Sequence, residues 1–234
     1  LQIKDLESIE KKIQRVEKAA KTGDKDAKKH LEVLHTYKNH LESFESVRTI
    51  DVSEDDKLVV RDLCLLTEKP MIYVCNVDEN SVLTGNKYTA DFIESVKGEN
   101  TQVLVIAAAM EADIAELESQ EDRIEFLKDV GLTEPSVNKL IRSAYSLLNL
   151  KQFFTVGPKE IHAWTIKNGM TAPQAAGVIH SDLERGFIRA EVMKYNDFVS
   201  LGSELACKEK GKLFVEGKNY VVDDGDILNI RFNV

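Results

Sequence analysis

Leu6, Ile9, Ile13, Val16 and Ala20 recur at intervals of three and four, the apolar seam of an amphipathic helix. Thr22-Gly23-Asp24 interrupts the pattern with turn residues, and it resumes with Ala27, Leu31, Leu34, Leu41 and Phe44. Two helices joined by so short a turn bury their seams by folding back on each other, so residues 1–50 are expected to form an antiparallel helical hairpin. The same spacing over about three heptads also serves a pair of ordinary bundle helices.

From residue 51 the texture changes. Asp51-Val-Ser-Glu-Asp reads as the start of a helix carrying Leu58, Val59, Leu63 and Leu66. Met71-Ile-Tyr-Val-Cys75 is a short continuous apolar run, as expected of a strand buried on both faces. A helical stretch around Tyr88 to Val96 follows, and then a second apolar run, Val103-Leu-Val-Ile-Ala-Ala-Ala109. Strand, helix, strand at this spacing is a βαβ unit with parallel strands. Two strands leave such a sheet unfinished, with open edges. Helical patterns continue to about Leu150, so 51–150 is expected to be one α/β segment.

Residues 151–234 read differently again. KQFFTVGPKEIHAWTIKNG holds two strands around Gly157-Pro158, and Thr171-Ala-Pro-Gln starts a short helix with Thr171 as its cap. Gly186 to Val192 alternates as a strand, and Tyr220-Val-Val, Asp223-Asp-Gly-Asp226 and Ile227 to Phe232 read as strand, turn, strand. Strands with one or two short helices on one face suggest an α+β domain of β-grasp type. The predicted fold class is thus α/β plus α+β.

Composition narrows the function classes. Over 234 residues, 43% hydrophobic and 30% charged content describe a folded, water-soluble chain. The net charge of −9 argues against non-specific adhesion to nucleic acid by the chain as a whole, and no DNA specificity is expected. Cys64, Cys75 and Cys207 form no C-x-x-C pair and read as buried free thiols in a reducing compartment. No run is apolar enough to span a bilayer and the first residues are no signal peptide, so a cytoplasmic location without membrane contact is expected. Leu1 is not an initiator methionine, which suggests a piece of something longer.

The residues with chemical content lie at the ends of the two apolar runs. Asn76-Val77-Asp78-Glu79 follows the first, at the carboxyl end of a parallel strand, where open α/β sheets bind ligands. The Asn76 amide can both accept from and donate to a purine edge, and the Glu79 carboxylate accepts from ring donors. The usual guanine-reading loop, Asn-Lys-x-Asp, has Asp where Glu79 stands and Lys where Val77 stands, which argues against strict guanine selection. Ala107, Ala108 and Ala109 follow the second run, where small residues let the backbone approach a base. Phosphates need G-x-x-x-x-G-K-[ST], and the nearest candidate, Gly211 to Asn219, has one residue too many and precedes a strand. No Asp-x-x-Gly switch motif precedes Asn76, so these residues alone are not expected to hydrolyse a nucleotide.

Other chemistries find less support. His30, His35 and His40 are five apart, which turns each away from the last on a helix and suits solvated side chains. His162 and His180 lack nearby cysteines, and hydrogen bonding is the default for both. Arg185, Arg189, Lys194, Lys208, Lys210, Lys212 and Lys218 accompany Phe187, Tyr195 and Phe198. Cations with exposed aromatics make an RNA-contacting face. The interleaved acidic residues favour a solvated face over core aromatics.

The long stretch LNLKQFFTVGPKEIHAWTIKNGMTAPQAAGVIHSDLERGFIRAEVMKYNDF, continuing to EGKNYVVDDGDILNIRFNV, resembles the C-terminal TGS domain of YchF-type proteins, the Obg-like ATPases. LTEKPMIYVCNVDEN resembles their altered base-recognition loop, and the hairpin resembles their coiled-coil arm. The resemblance implies a P-loop NTPase domain with an inserted helical arm and a β-grasp TGS domain. It implies an ATP or GTP hydrolase that uses Mg2+ and accepts or prefers ATP. Asn76 and Glu79 would then read the base, with backbone contacts from Val77 and a second loop at Ala107 to Ala109. The family's phosphate loop, switches and magnesium ligands have no counterpart in these residues, so no nucleotide is expected to bind tightly to them alone. The family's association with ribosomes and translation implies ribosome or RNA as partner.

Overall fold

The computed structural model describes residues 1–99, 101–157 and 160–233. Pro158 of the predicted Gly157-Pro158 turn lies outside the described residues. The chain divides into two compact units, Leu1–Val137 and Asn138–Val234.

The first unit begins with α1 (Gln2–Lys21) and α2 (Lys25–Glu42), separated by the Thr22-Gly23-Asp24 turn. Gly23 takes φ +94, and the Asp24 side chain caps α2 by accepting from the amides of Asp26 and Ala27. Ion pairing of Lys38 with Glu10 and the bond from Gln2 Nε2 to the Phe44 carbonyl fix the pairing as antiparallel. Ile9, Ile13, Val33, Leu34, Tyr37 and Leu41 fill the seam and join Val47, Val60 and Leu65 in one core.

A buried carboxylate fastens the base of this hairpin. Asp5, only 2% exposed, accepts from the amides of Leu66 and Thr67 and from the Thr67 hydroxyl, each at 2.7 Å. Thr67 Oγ1 in turn accepts from the Val47 amide at 3.1 Å. A carboxylate with three donors is fully compensated for its burial. His40, predicted to be solvated, is half-buried instead, with Nε2 2.9 Å from the Ser46 carbonyl and 3.0 Å from Thr49 Oγ1.

α3 (Glu54–Val60) starts at its Ser53 cap as predicted but stops short of Leu66. A 3₁₀ turn (Arg61–Leu63) follows and ends in Cys64 at φ 47, a left-handed residue. Cys64 is therefore exposed, Cys75 is half-buried, and only Cys207 is a buried thiol.

β1 (Ile72–Asn76) and β2 (Gln102–Ile106) pair in parallel, Ile72 with Gln102 through Asn76 with Ile106, across α4 (Lys87–Ser95). The expected burial on both faces is not reached. Val74 is 43% exposed and Leu104 is the one strand residue here that is buried, because two strands offer little cover. Tyr73 packs edge-on against Phe92 of α4 at 4.9 Å. α5 (Ala108–Glu116) and α6 (Gln120–Val130) add a second core of Val82, Ala107, Met110, Ile114 and Leu127.

α7 (Ser136–Leu147) leads to a five-stranded sheet: β3 (Leu150–Val156), β4 (Ile161–Lys167), β5 (Phe187–Lys194), β6 (Phe214–Glu216) and β7 (Asp226–Phe232). The strand order is β4-β3-β7-β5-β6, with β3 and β7 parallel and the other neighbours antiparallel. Tyr220-Val-Val, predicted as a strand, makes only the isolated bridge of Val221 with Thr171, and β6 was not foreseen.

Helices cover both faces of this sheet, not one. α8 (Ala172–Ile179) and α9 (Ser181–Arg185) lie with Phe153, Ile166, Ala190, Val192 and Leu228. The alternate strand residues Phe154, Met193 and Ile227 face the other way. There they meet Phe198 and Leu201 of α10 (Tyr195–Leu201) and Cys207 of α11 (Glu204–Glu209). Among the described residues no helix is long and apolar enough to cross a membrane.

Candidate nucleotide-base site

The parallel register of β1 and β2 sets Asn76 beside Ile106, so the two following loops leave the sheet side by side. The Val77 amide donates to the Ile106 carbonyl at 2.9 Å, which carries the pairing one residue past the strand. Ala107 is extended at φ −113, is 1% exposed, and has no side chain able to cap the helix it opens. Asn76 supplies that cap from the other loop: its Oδ1 accepts from the Ala108 amide at 2.9 Å. One of the orphan amides at the start of α5 is thereby satisfied, and the two loops become one piece. Val82 and Ala107 share a core beneath them.

Two carboxylates stand in the first loop with different duties. Asp78 caps the 3₁₀ turn Glu79–Ser81, accepting from the Ser81 amide at 3.1 Å and the Ser81 hydroxyl at 3.0 Å. Glu79 is exposed, and its side chain has no hydrogen bond or ion pair to any described residue. Asn76 Oδ1 is committed to Ala108, which leaves the Asn76 amide group as donor and Glu79 as acceptor on one open surface. Ala108 and Ala109 are exposed beside them. The structure thus brings Asn76, Val77, Glu79, Ala107, Ala108 and Ala109 together at the carboxyl end of the sheet. That surface has the donors and acceptors to read the edge of a purine.

Neighbouring contacts hold the frame. Glu99, just before β2, accepts from Arg48 Nη2 and from the Tyr73 hydroxyl, both at 2.9 Å, joining the hairpin's exit to β1. The Arg48 bond holds the Glu99 carboxyl below the usual range against the opposing effect of burial. Burial, followed by Glu99, pushes the Tyr73 phenol up. Glu111 of α5 accepts from the Ser136 amide at 2.6 Å. None of these partners was anticipated, although Asp5, an acid four residues before Ile9 on the apolar seam, was a visible signal. Among the described residues no three His, Cys, Asp or Glu converge in a group that could hold a metal ion.

Several basic residues of the second unit are engaged by acids. Arg185 pairs with Asp182, Arg189 with Glu191 at 3.7 Å, and Lys212 with Asp197 at 3.3 Å. Lys194 Nζ donates to Asp226 at 2.7 Å, Asp223 at 2.9 Å and the Tyr220 hydroxyl at 3.2 Å. Burial disfavours the Lys194 charge, but these bonds outweigh it and its pKa is raised. Lys208, Lys210 and Lys218 are exposed and without an ion pair to the described residues. Phe187 is buried, Phe198 is in the core, and Tyr195 is exposed against Phe154 at 6.0 Å. A groove of about 500 Å3 lies elsewhere in this unit, along Ile141, Tyr145, Asn149, Gln152, Asn168 and Asp224.

Residues 150–233 match the family YchF-GTPase_C, described as "Protein of unknown function (DUF933)". Over 98% of this chain it is 47% identical to the Ribosome-binding ATPase YchF of Bacillus subtilis. It is also 47% identical to the protein of the same name from Escherichia coli O157:H7, over 100% of this chain. The structure superimposes on the Schizosaccharomyces pombe YchF GTPase with a TM-score of 0.83 at 32% identity, covering 98% of this chain and 63% of that one. The chain spans 63% of the Bacillus relative's length and 64% of the Escherichia relative's. These matches place the chain in the YchF family.

Proposed function

We propose that these residues form the C-terminal portion of a YchF-like NTPase that works on the ribosome in the cytoplasm and accepts ATP at least as well as GTP. The observation that carries this reading is the Asn76–Ala108 bridge with an unengaged Glu79 beside it. In this reading β1 and β2 complete a larger parallel sheet, which accounts for the 43% exposure of Val74. The phosphate loop and the magnesium ligands belong to the part of the protein outside these residues. α1 and α2 are the family's arm, and the five-stranded unit is its TGS domain of β-grasp type. The relatives' names, Ribosome-binding ATPase, support the partner and the reaction.

Guanine offers two adjacent ring-edge donors to a carboxylate, and adenine offers neither. Glu79 reaches one methylene further than the Asp of a guanine-reading loop, so it sits too far forward to take both donors at good geometry. Replacing Glu79→Asp in the protein that carries the phosphate loop should shift the ATP-to-GTP affinity ratio about tenfold toward GTP. Titration of both nucleotides against both proteins measures the ratio, and an unchanged ratio removes Glu79 from base selection.

A second reading is a non-catalytic ribosome- or RNA-binding module built from the hairpin and the C-terminal unit. Lys208, Lys210 and Lys218, without an ion pair among the described residues, favour it. Nucleotide binding by the longer protein separates the two.

A further inference from the structure

Three strand ends meet at one end of the five-stranded sheet. β3 and β4 are antiparallel, with Leu150 opposite Lys167, and β3 and β7 are parallel, with Phe153 opposite Asp226. The residue before β3, the residue after β4 and the turn before β7 therefore lie at the same end. These are Asn149, Asn168 and Asp224, and with Ile141 and Tyr145 of α7 they line the groove of about 500 Å3. That is the size of a small-molecule site, and the lining joins an aromatic ring and an aliphatic wall to a few polar groups.

The polar groups are held in place and only partly used. Asn149 sits at φ 54, in the left-handed region where glycine is the unstrained choice. Its backbone carbonyl accepts from the Asn168 amide at 2.8 Å, and its Oδ1 accepts from Asn168 Nδ2 at 3.1 Å. Two side-chain amides joined by one bond leave one NH2 group and one carbonyl oxygen over, here Asn149 Nδ2 and Asn168 Oδ1. Asp224 Oδ1 accepts from the Gln152 amide at 2.8 Å, and Oδ2 has no bond to a described residue. The Tyr145 oxygen accepts from Gln152 Nε2 at 2.8 Å.

We propose that this groove is a second binding site, separate from the Asn76 surface, for the guanine base of a free nucleoside. Guanine presents its N1–H and 2-amino donors side by side, and the Asp224 carboxylate is an acceptor for both. Next to them lies O6, an acceptor for the Asn149 amide group. Adenine turns an acceptor toward the same carboxylate and is repelled. Tyr145 supplies a ring for the base to stack on. Lys151 is paired with Asp223 at 3.6 Å, and Arg142, also along the groove, is likewise engaged. Together with the net charge of −9, this favours an uncharged nucleoside over the phosphates of RNA.

The test uses the full-length protein and equilibrium dialysis with guanosine, adenosine, inosine and xanthosine, with and without excess of a non-hydrolysable ATP analogue. The wild type should hold guanosine at least tenfold more tightly than adenosine. Inosine, which lacks the 2-amino group, should bind about tenfold more weakly than guanosine. Asp224→Asn keeps an oxygen for the Gln152 amide and turns an NH2 group toward the groove. Xanthine has a carbonyl where guanine has its 2-amino group, so this variant should prefer xanthosine to guanosine. Asn149→Gly, which suits the left-handed backbone, should weaken guanosine about tenfold. Absent guanosine binding, or equal affinity for guanosine and adenosine, overturns the site. Guanosine displaced by the ATP analogue overturns its separateness. An unchanged preference in Asp224→Asn overturns the guanine assignment. If that variant melts early, the wild-type guanosine-to-inosine ratio decides instead, and a ratio near one overturns it. Binding of a guanine-containing RNA oligomer without binding of guanosine overturns a small ligand in favour of RNA.

Discussion

β1 and β2 pair along their whole length and still leave Val74 43% exposed, whereas Phe153, Ala190 and Val192 in the five-stranded sheet are almost inaccessible. Both sheets are made from apolar runs of similar character. The difference is cover: the larger sheet has α8 and α9 on one face and α10 and α11 on the other. Hydrophobicity in a strand is therefore a capacity for burial, and neighbouring elements decide how much of it is used.

That contrast can be broken most severely at Phe153. Truncation by Phe153→Ala should cost about 3–5 kcal/mol in the unfolding of the C-terminal unit, read by denaturant melts. A loss below about 1 kcal/mol would mean the sheet is less tightly packed than its burial indicates.

An intermediate effect is expected at Asp226, which is fully buried yet accepts from Lys194, from the Tyr220 hydroxyl at 2.6 Å and from the Asp223 amide at 2.9 Å. Asp226→Asn should cost about 2 kcal/mol. Burial, followed by the Asp226 bond, pushes the Tyr220 phenol up to about 12. A raised folded value means that Tyr220 stabilises below the ordinary tyrosine range near 10, and that this stability is lost as pH rises from there toward about 12. Melts between those limits should show the loss in the wild type and little of it in Tyr220→Phe; identical alkaline profiles would remove Tyr220 as the cause. The smallest effect belongs to the open sheet. Val74→Ala in the 234-residue chain should cost less than about 1 kcal/mol, and a larger cost would reveal cover that its exposure does not suggest.

The hairpin was legible because Ile9, Ile13, Leu34 and Leu41 repeat at helical spacing and are the residues that pack. The end of α3 was not legible, since neither Gly nor Pro marks the left-handed Cys64. The second covered face of the large sheet left a trace in the adjacent apolar Val192 and Met193, where a strand with one solvated face would alternate. Parallel pairing made the meeting of the Asn76 and Ala107 loops predictable. Which atoms they share was not, because a side-chain cap supplied from another loop leaves no spacing rule in the sequence.

The Asn76–Ala108 bond and the Asp78 cap have a consequence for how such a protein diverges. Asn76 and Asp78 hold the two loops together, and the Glu79 side chain makes no bond to any described residue. Changes at Asn76 or Asp78 would disturb the scaffold along with recognition. On the proposal that Glu79 reads the base, a change there alters what is recognised and leaves the scaffold intact. Substrate choice would then be open to drift one residue away from positions that are not, and a lineage could exchange one nucleotide for another in a single step without passing through an unstable ancestor.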